Sequence, residues 1–336
     1  MNILAVIPAR SGSKSVKDKN IRNINGKPML AYSIEHALNS KYINRIVVST
    51  DSEQYAEIAK KYGAEIPFLR PAEYATDTAL DYDVFQHCLS FLKEKEAYEA
   101  DIVVQLRPTY PIRHIEDIDR MIEMLIEDKE ADSVRSIAPT KEIPYKMWHK
   151  NEKGELKPLL TDIPECYNMP RQELPKVYYQ NACIDVFRGN VVLEKHSMSG
   201  DKILGYEMEH NYDIDTEEEF QRAEEYIKIT SGGKRFVFDI DGVVAQFEPN
   251  LNYAEVGANE RMVRIINHLY ELGNEIVLFT ARGYVTGIDW SDTTKEQLER
   301  WGVKYHQLLF GKPNADYYID DKMLDMEQLY HIFDQG

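Results

Sequence analysis

The stretch ILAVIPARSGSKSVKDKN, residues 3–20, decides how the first part of this chain folds. Its apolar run at residues 3–7 is typical of a buried parallel strand, and Pro8 ends that run. The loop that follows is rich in serine and in basic residues, although the protein as a whole is acidic. Glycine lets a backbone approach an anion closely, while hydroxyl groups and cations supply donors and positive charge. We predict a phosphate-binding loop formed by Arg10, Ser11, Gly12, Ser13, Lys14, Lys17 and Lys19. Composition alone also allows a basic surface loop without a ligand.

Beyond this loop, apolar runs alternate with amphipathic stretches over most of the chain. We predict helices from Pro28 onwards and at residues 52–62, 81–93 and 115–126, with strands at 45–49, 65–69, 101–106 and 133–137. Such alternation predicts an α/β fold with a doubly wound, Rossmann-like parallel sheet. Ligands of such a sheet bind beyond the carboxyl ends of the strands.

Length and charge limit what the protein can be. A chain of 336 residues predicts two domains, which we place at residues 1–229 and 235–336 with a linker at 230–234. A formal net charge of −17 argues against nucleic acid or an anionic membrane as a partner. No leader segment or long apolar run is apparent, so we expect a cytoplasmic protein that acts on small molecules.

Three motifs near the start carry a resemblance to a known family. The strings IPARSGSK at residues 7–14, KN at 19–20 and NGKPML at 25–30 resemble those of the cytidylyltransferases that make CMP-sialic acid and related CMP-nonulosonates. The likeness continues through most of the first two thirds of the chain. It implies transfer of CMP from CTP to a sugar acid, with Mg²⁺ as cofactor and pyrophosphate as product. It assigns catalysis to Arg10, Lys14 and Lys19, and adds Asn20 to the nucleotide-binding residues.

Two further segments resemble nucleotide-binding parts of the same family. RPAEYATD at residues 70–77 is similar to RPxxLAxD, in which the arginine and its neighbours read the cytosine, so the resemblance implies this role for Arg70 and Asp77. LRPTYPIR at residues 106–113 is similar to LQPTSPLR, with Arg107 in place of the usual glutamine. We include Arg107 among the nucleotide-binding residues. Without the resemblance, both segments read as proline-rich turns after strands.

The regular alternation lapses at residues 144–177, and long irregular excursions inside a compact domain are usually functional. In the resembling family this region is a dimerisation arm that closes over the acceptor sugar, which implies a homodimer or homotetramer. The segment at 169–187 resembles RRQdLPkxYxxNGAIYI. Arg171, Gln172 and Asn181 match that pattern and are implied to bind the acceptor, whereas Ala182-Cys183 stands for Gly-Ala.

The segment YDIDTEEEF, residues 212–220, suggests a metal site. Asp213 and Asp215 would alternate on one face of a strand, so that both carboxylates point at a hard cation. Thr216 and Glu219 have the spacing of a helix capping box. The capping box and the metal site can both be present, because Thr216 begins the helix and the Asp pair lies before it. The resembling family holds Mg²⁺ with this Asp-x-Asp pair.

The last third of the chain starts a new apolar strand and carries four ordered motifs. RFVFDIDGVVA contains Asp239 and Asp241, EIVLFTARG contains Thr280, FGKP contains Lys312, and ADYYIDDK contains Asp320. Together they resemble the haloacid dehalogenase-like phosphatases, which implies a second Rossmann-like domain.

That resemblance assigns a role to each residue. Asp239 would attack phosphorus, and Asp241 would protonate the leaving oxygen and later activate water. Thr280 and Lys312 would bind the phosphoryl oxygens. Mg²⁺ would be held by Asp239, the backbone carbonyl of Asp241, and Asp320, with Asp321 close by.

The two resemblances predict a bifunctional enzyme of CMP-sugar biosynthesis. A phosphatase domain would remove phosphate from a sugar-acid precursor, and its product would be the acceptor of the transferase. One alternative keeps the transferase and changes the acceptor to an octulosonate or to a phosphorylated or phosphonylated small molecule. Another makes the second domain a non-catalytic oligomerisation or regulatory module.

Overall fold

The computed structural model describes residues 1–13, 16, 18–140, 142–208, 212–247, 253–313, 315 and 322–333. These residues fall into two compact units, Met1–Phe220 and Gln221–Asp334. Within the described ranges, no helix is both long enough and apolar enough to cross a membrane.

The first unit alternates strands and helices largely as predicted. Its elements are β1 (Ile3–Pro8), β2 (Asn23–Ile24), β3 (Lys27–Pro28), α1 (Met29–Asn39), β4 (Arg45–Ser49), α2 (Glu53–Lys61), α3 (Asp81–Glu96), β5 (Ile102–Leu106), α4 (Ile115–Glu127), β6 (Ser133–Pro139), β7 (Trp148–Lys150), β8 (Leu156–Pro158), β9 (Tyr178–Arg188), α5 (Gly189–Leu193) and β10 (Ile203–Glu207). Helix α6 (Glu217–Thr230) contains the division between the units, and the domain bounds 1–229, 230–234 and 235–336 stay predictions.

Six strands of the described residues form one sheet in the order β10-β6-β9-β5-β1-β4. The expectation of a purely parallel sheet is wrong at β9, which runs antiparallel to both β5 and β6. The chain leaves β6 at Pro139 and returns at Tyr178, which is paired with Pro139. Because no crossover carries the chain back to the other edge, the returning strand has to run in the opposite direction.

The predicted strand at residues 65–69 is also wrong. Glu65 makes an isolated parallel bridge to Val47, and the chain then leaves the sheet. Pro67 lies in the middle of this stretch and has no backbone N–H to donate to a ladder.

Strand β1 is buried on both faces, as its continuous apolar sequence predicts. Ile3, Ala5 and Ile7 pack in one hydrophobic cluster with α1 and α4, whereas Leu4 and Val6 pack in another with α3. Helices therefore cover both faces of the sheet, as in a doubly wound fold. Strand β4 lies on one side of β1 and β5 on the other, so the carboxyl end of β1 is a switch point where such sheets bind ligands.

The excursion predicted as a dimerisation arm contains an antiparallel hairpin of β7 and β8. Trp148 and Leu156 of this hairpin are exposed in the single chain. The role of residues 144–177 in dimerisation stays a prediction.

The second unit has its own sheet and core. Beyond α6 its elements are β11 (Arg235–Asp239), α7 (Glu260–Glu271), β12 (Glu275–Thr280), α8 (Ser291–Arg300), β13 (Gln307–Phe310) and α9 (Met326–Phe333). The described part of the sheet has the order β11-β12-β13, and its strands are parallel. Asp239 and Thr280 end two neighbouring strands, and Lys312 follows the third. The motif at 315–322 falls, apart from residues 315 and 322, outside the described residues.

Candidate active site

A cleft of about 610 Å³ opens beyond the carboxyl end of β1. It brings together side chains from distant parts of the first unit, and we call it the β1 cleft. Its lining includes Arg10, Ser13, Lys19, Asn20, Arg70, Asp77, Asp81, Arg107, Thr109, Ala182, Asp213 and Asp215.

Lys19 connects the basic loop to the predicted metal pair. The Lys19 ammonium donates to the Ile214 carbonyl oxygen at 2.6 Å and to Asp215 Oδ1 at 2.9 Å. The residue is only 6% exposed, although Asp215 itself is largely exposed. The loop and the Asp-x-Asp segment, almost two hundred residues apart in sequence, therefore face the same cleft.

Arg10 is held at the cleft wall by two neighbours. Its guanidinium pairs with Asp77 at 2.9 Å, and its carbonyl oxygen accepts a hydrogen bond from Asn20 Nδ2 at 3.0 Å. Three predicted nucleotide-binding residues are thus close together. Ser13 also lines the cleft, whereas Lys14 and Lys17 lie outside the described residues.

Ser11 differs from the expectation. Its backbone N–H donates to Asp51 Oδ1 at 2.8 Å and its hydroxyl, which was predicted for phosphate, donates to Asp51 Oδ2 at 2.6 Å. Burial opposes ionisation of Asp51, but the Ser11 hydrogen bonds outweigh it and lower the pKa of this carboxyl. Gly12 follows with φ at +73°, a conformation that glycine adopts easily and that turns the chain after Ser11.

Arg70 and Arg107, which were also predicted to bind nucleotide, both make hydrogen bonds within the protein. Arg70 is buried, donates from Nε to Ser49 Oγ at 3.0 Å, and has a pKa lowered to about 10 by that burial. Arg107 donates to Asp81 Oδ2 at 2.5 Å and to the Ala182 carbonyl oxygen at 3.2 Å. Both still line the β1 cleft.

The predicted acceptor-binding residues do not line the described cleft. Asn181 is buried, and its side-chain oxygen accepts from Ser136 Oγ at 2.5 Å and from the Cys183 N–H at 3.2 Å. Arg171 and Gln172 lie on an exposed 3₁₀ turn of the excursion. Their acceptor-binding role stays a prediction.

Asp213 and Asp215 lie just before α6, in a segment that the structure describes without a strand, so that part of the expectation is wrong. The alternation survives locally, because Ile214 is fully buried between the two carboxylates. The capping box is confirmed, with Thr216 N–H donating to Glu219 at 2.8 Å and Glu219 N–H donating to Thr216 at 3.2 Å.

The Asp pair fits a divalent cation. Asp213 Oδ1 is buried and accepts no hydrogen bond from the described residues. Burial and the neighbouring Asp215 raise the pKa of Asp213, and a cation would reverse that effect. Among the residues that the structure describes, no cluster of three or more acidic, His or Cys ligands is present. Two carboxylates are nevertheless enough for Mg²⁺ when substrate phosphates and water complete its coordination.

Several residues of the site went unrecognised in the sequence. Asp51 anchors the basic loop, and Asp81 pairs with Arg107. Arg113 is buried and donates to the carbonyl oxygens of Cys183 at 3.1 Å and Tyr110 at 2.8 Å, which fixes the turn after β5. Asp51 could have been found, because it follows a predicted strand at the ligand-binding edge of the sheet.

The second unit brings together three of its four motifs. The Lys312 ammonium donates to Asp239 Oδ2. Asp241 accepts from the Thr280 hydroxyl at 3.3 Å, and the buried Arg282, which the sequence did not single out, donates from Nε to Asp241 Oδ1 at 2.9 Å. The predicted metal ligand Asp320 and its neighbour Asp321 lie outside the described residues.

Most of the chain is similar to known cytidylyltransferases. Residues 4–228 match the family model described as cytidylyltransferase. The post-translational flagellin modification protein B of Campylobacter coli is 36% identical over 228 residues, which are 67% of this chain and 95% of that protein. The CMP-N,N'-diacetyllegionaminic acid synthase of Legionella pneumophila is 35% identical over 235 residues, 68% of this chain and 97% of that protein.

A solved structure supports the fold of the first unit. A CMP:2-keto-3-deoxy-manno-octonic acid synthetase complexed with CTP has a TM-score of 0.51 at 17% identity, covering 68% of this chain and 99% of that one. These matches confirm the resemblance carried by the motifs at residues 7–14, 19–20 and 25–30.

Proposed function

The chain belongs to the cytidylyltransferase family, and from this membership we propose that the β1 cleft transfers CMP from CTP to a nonulosonic acid. The observation that carries the proposal is the Lys19 contact with Asp215 and the Ile214 carbonyl oxygen. It gives one cleft both a cation suited to a nucleotide's phosphates and a carboxylate pair suited to Mg²⁺.

The reaction is a substitution at the α-phosphorus of CTP. The anomeric hydroxyl oxygen of the sugar acid forms a bond to this phosphorus and loses its proton, while the bond to the β-phosphate bridging oxygen breaks and pyrophosphate leaves. Lys19 and Arg10 offset charge on the phosphates, and the turn at Ser13 supplies hydrogen-bond donors. Asp213 and Asp215 would hold Mg²⁺, which neutralises phosphate charge when bound.

The acceptor class rests on the relatives. One of them is named for the synthesis of CMP-N,N'-diacetyllegionaminic acid. We place this chain's acceptor in the same class of nine-carbon sugar acids. The alternative acceptor is an octulosonic acid or a phosphorylated or phosphonylated small molecule. Its basis is that Arg107 and Ala182, which both line the cleft, differ from the residues of the family pattern.

The test is CTP-dependent release of pyrophosphate with a panel of acceptors. We expect release with N-acetylneuraminic acid or N,N'-diacetyllegionaminic acid and little with octulosonic acid. Preference for octulosonic acid would favour the alternative. Absence of release with every acid, from protein that is folded and supplied with Mg²⁺, would refute the transferase.

The second unit is proposed as a phosphatase that acts on a sugar-acid phosphate, such as a nonulosonate 9-phosphate. Support comes from the Lys312 contact with Asp239 and the Thr280 contact with Asp241, which join motifs about seventy and forty residues apart. Such an enzyme would produce the acceptor that the β1 cleft consumes. Asp239 and the backbone carbonyl of Asp241 would hold Mg²⁺ there, together with Asp320, which lies outside the described residues.

This reaction has two steps. Asp239 attacks phosphorus, the ester P–O bond breaks, and the leaving oxygen takes a proton from Asp241. Asp241 then takes a proton from water, whose oxygen attacks the aspartyl-phosphate and releases inorganic phosphate. We expect Asp239→Asn to abolish phosphate release and to leave pyrophosphate release unchanged. Full phosphatase activity in that variant would refute the nucleophile. If the wild type hydrolyses no phosphate ester, the non-catalytic module is favoured.

A further inference from the structure

We propose that Arg282 is a positioning residue, which holds Asp241 in the orientation that protonates the leaving oxygen. The proposal rests on the phosphatase function proposed for the second unit. Arg282 follows Thr280 by two residues, just beyond the carboxyl end of β12, and therefore reaches the same edge of the sheet as Asp239 and Asp241.

The Arg282 guanidinium contacts both carboxylate oxygens of Asp241, and its Nε–H is shared between them. Arg282 Nη2 lies 2.8 Å from Asp241 Oδ1, and Arg282 Nε donates to Oδ1 at 2.9 Å and to Oδ2 at 3.2 Å. The Thr280 hydroxyl donates to Oδ2 at 3.3 Å. Oδ1 thus has the two short contacts. Oδ2 has only the two longer hydrogen bonds. These are the ones most easily replaced by a contact with a substrate oxygen.

The guanidinium is itself fixed on its other side. Arg282 Nη1 donates to Gln297 Oε1 at 2.7 Å and to Thr294 Oγ1 at 3.1 Å, both on α8. The Tyr253 ring packs against the guanidinium carbon at 4.6 Å, and Gln297 Nε2 donates to the Tyr253 carbonyl oxygen. With a side chain that is 0% exposed, Arg282 has almost no freedom to turn away.

Stability alone is a weak reason for this arrangement. The cost of removing a guanidinium and a carboxylate from water often equals or exceeds their attraction, so an apolar pair of similar size would stabilise the unit as well. What the ion pair adds is direction, since a planar guanidinium fixes a carboxylate in one plane. The carboxylate so fixed is the proposed acid of the reaction, which makes positioning the role that best explains the pair.

Leaving groups of different strength test this role. An alkyl phosphate releases a poor leaving group, so breaking its P–O bond needs the proton from Asp241. The p-nitrophenolate ion leaves without protonation. We expect Arg282→Ala to lower kcat/KM by about 10- to 100-fold for the alkyl phosphate that the wild type hydrolyses fastest, and by less than about threefold for p-nitrophenyl phosphate. A general loss of structure would lower both values alike.

Three further variants sharpen the comparison. Arg282→Lys restores a charge without the fork, so we expect partial recovery for the alkyl ester. Gln297→Met removes one anchor and leaves Arg282 in place, and it should give a smaller loss with the same selectivity. Arg264→Ala, an exposed arginine of α7, serves as the control that changes neither rate. Thermal unfolding shows whether each variant is folded. If Arg282→Ala does not fold, the selectivity of Gln297→Met between the two esters tests the proposal instead.

The outcomes are distinct. Selective loss with the alkyl ester supports the proposal. Equal losses with both esters, or no loss, overturn it while the phosphatase function stands. A wild type that hydrolyses only p-nitrophenyl phosphate also overturns it, because Asp241 then protonates no leaving group. A wild type inactive on both esters refutes the phosphatase function itself, and this inference with it.

Discussion

Replacing Lys19 with methionine tests the central contact of the β1 cleft. The ammonium donates to the Ile214 carbonyl oxygen at 2.6 Å and to Asp215 at 2.9 Å, and the residue is nearly buried. Removing one donor that stabilises developing charge typically costs about 100- to 1,000-fold in kcat, or about 3–4 kcal/mol. We expect a loss of this size in pyrophosphate release at saturating CTP, acceptor and Mg²⁺.

The same substitution has a separate effect on folding. Leaving a buried carbonyl oxygen without its partner costs about 1–3 kcal/mol. The ion pair adds no more than about 1 kcal/mol, because Asp215 is 69% exposed and water screens it. Chemical unfolding should therefore show a drop of about 1–4 kcal/mol in the free energy of unfolding of the first unit, which leaves the protein folded for the assay.

A matched control is available close by in sequence. Lys27 pairs with Glu35 at 2.5 Å and does not line the β1 cleft. Lys27→Met removes the same charge from the same unit, and we expect it to leave kcat within about twofold. If folded Lys19→Met protein released pyrophosphate at the wild-type rate, the assignment of Lys19 to the reacting phosphates would be refuted.

Four further predictions concern His36, Ala182, Arg113 and the predicted metal site of the first unit. Burial, with smaller effects from nearby cations, lowers the pKa of His36 to about 3, whereas its unfolded value is about 6.5. The unfolded state then binds more protons between these values, so the free energy of unfolding decreases as the pH is lowered from 7 through this range. Wild type should lose about 1.4 kcal/mol more than His36→Leu between neutrality and about pH 5.5 in chemical unfolding, and equal losses would contradict this. Ala182 has φ at +58°, so Ala182→Gly should raise the free energy of unfolding by about 1 kcal/mol, and a decrease would contradict the strain. Arg113 donates to the backbone carbonyls of the turn after β5 and of Cys183, and Arg113→Met should cost about 3 kcal/mol or more in the same measurement, whereas a neutral effect would contradict its anchoring role. Removal of Mg²⁺ with EDTA should stop pyrophosphate release. Asp213→Asn should raise the Mg²⁺ concentration for half-maximal rate by about tenfold or more, and an unchanged requirement would place the ion elsewhere.

Local patterns predicted most of the secondary structure. β4 occupies the residues that its β-branched sequence indicates, and α1 begins after Pro28 as expected. The capping box at Thr216 formed as its spacing predicts. These elements depend mainly on residues close in sequence, so their sequence patterns predict them without information about the rest of the chain.

The antiparallel strand β9 could not be predicted in this way. Its apolar residues suit a buried strand in either direction, and direction depends on where the excursion at residues 144–177 returns to the sheet. The protein partners of Ser11 and Asn181 could not be predicted for a related reason. Serine and asparagine side chains hydrogen-bond to ligand or protein equally well, and only the positions of Asp51 and Ser136 show which protein partner each one has.

The sequence by itself determined the alternation of strands and helices and the type of chemistry at each strand end. Periodicity and residue type are properties of short segments, and they need no information from elsewhere in the chain. Only the tertiary structure decided that Lys19 reaches Asp215, that Asp51 occupies the donors of Ser11, and that Arg282 clamps Asp241. Each of these pairings joins residues about forty to two hundred positions apart, and folding alone sets the distance and burial on which their energies depend.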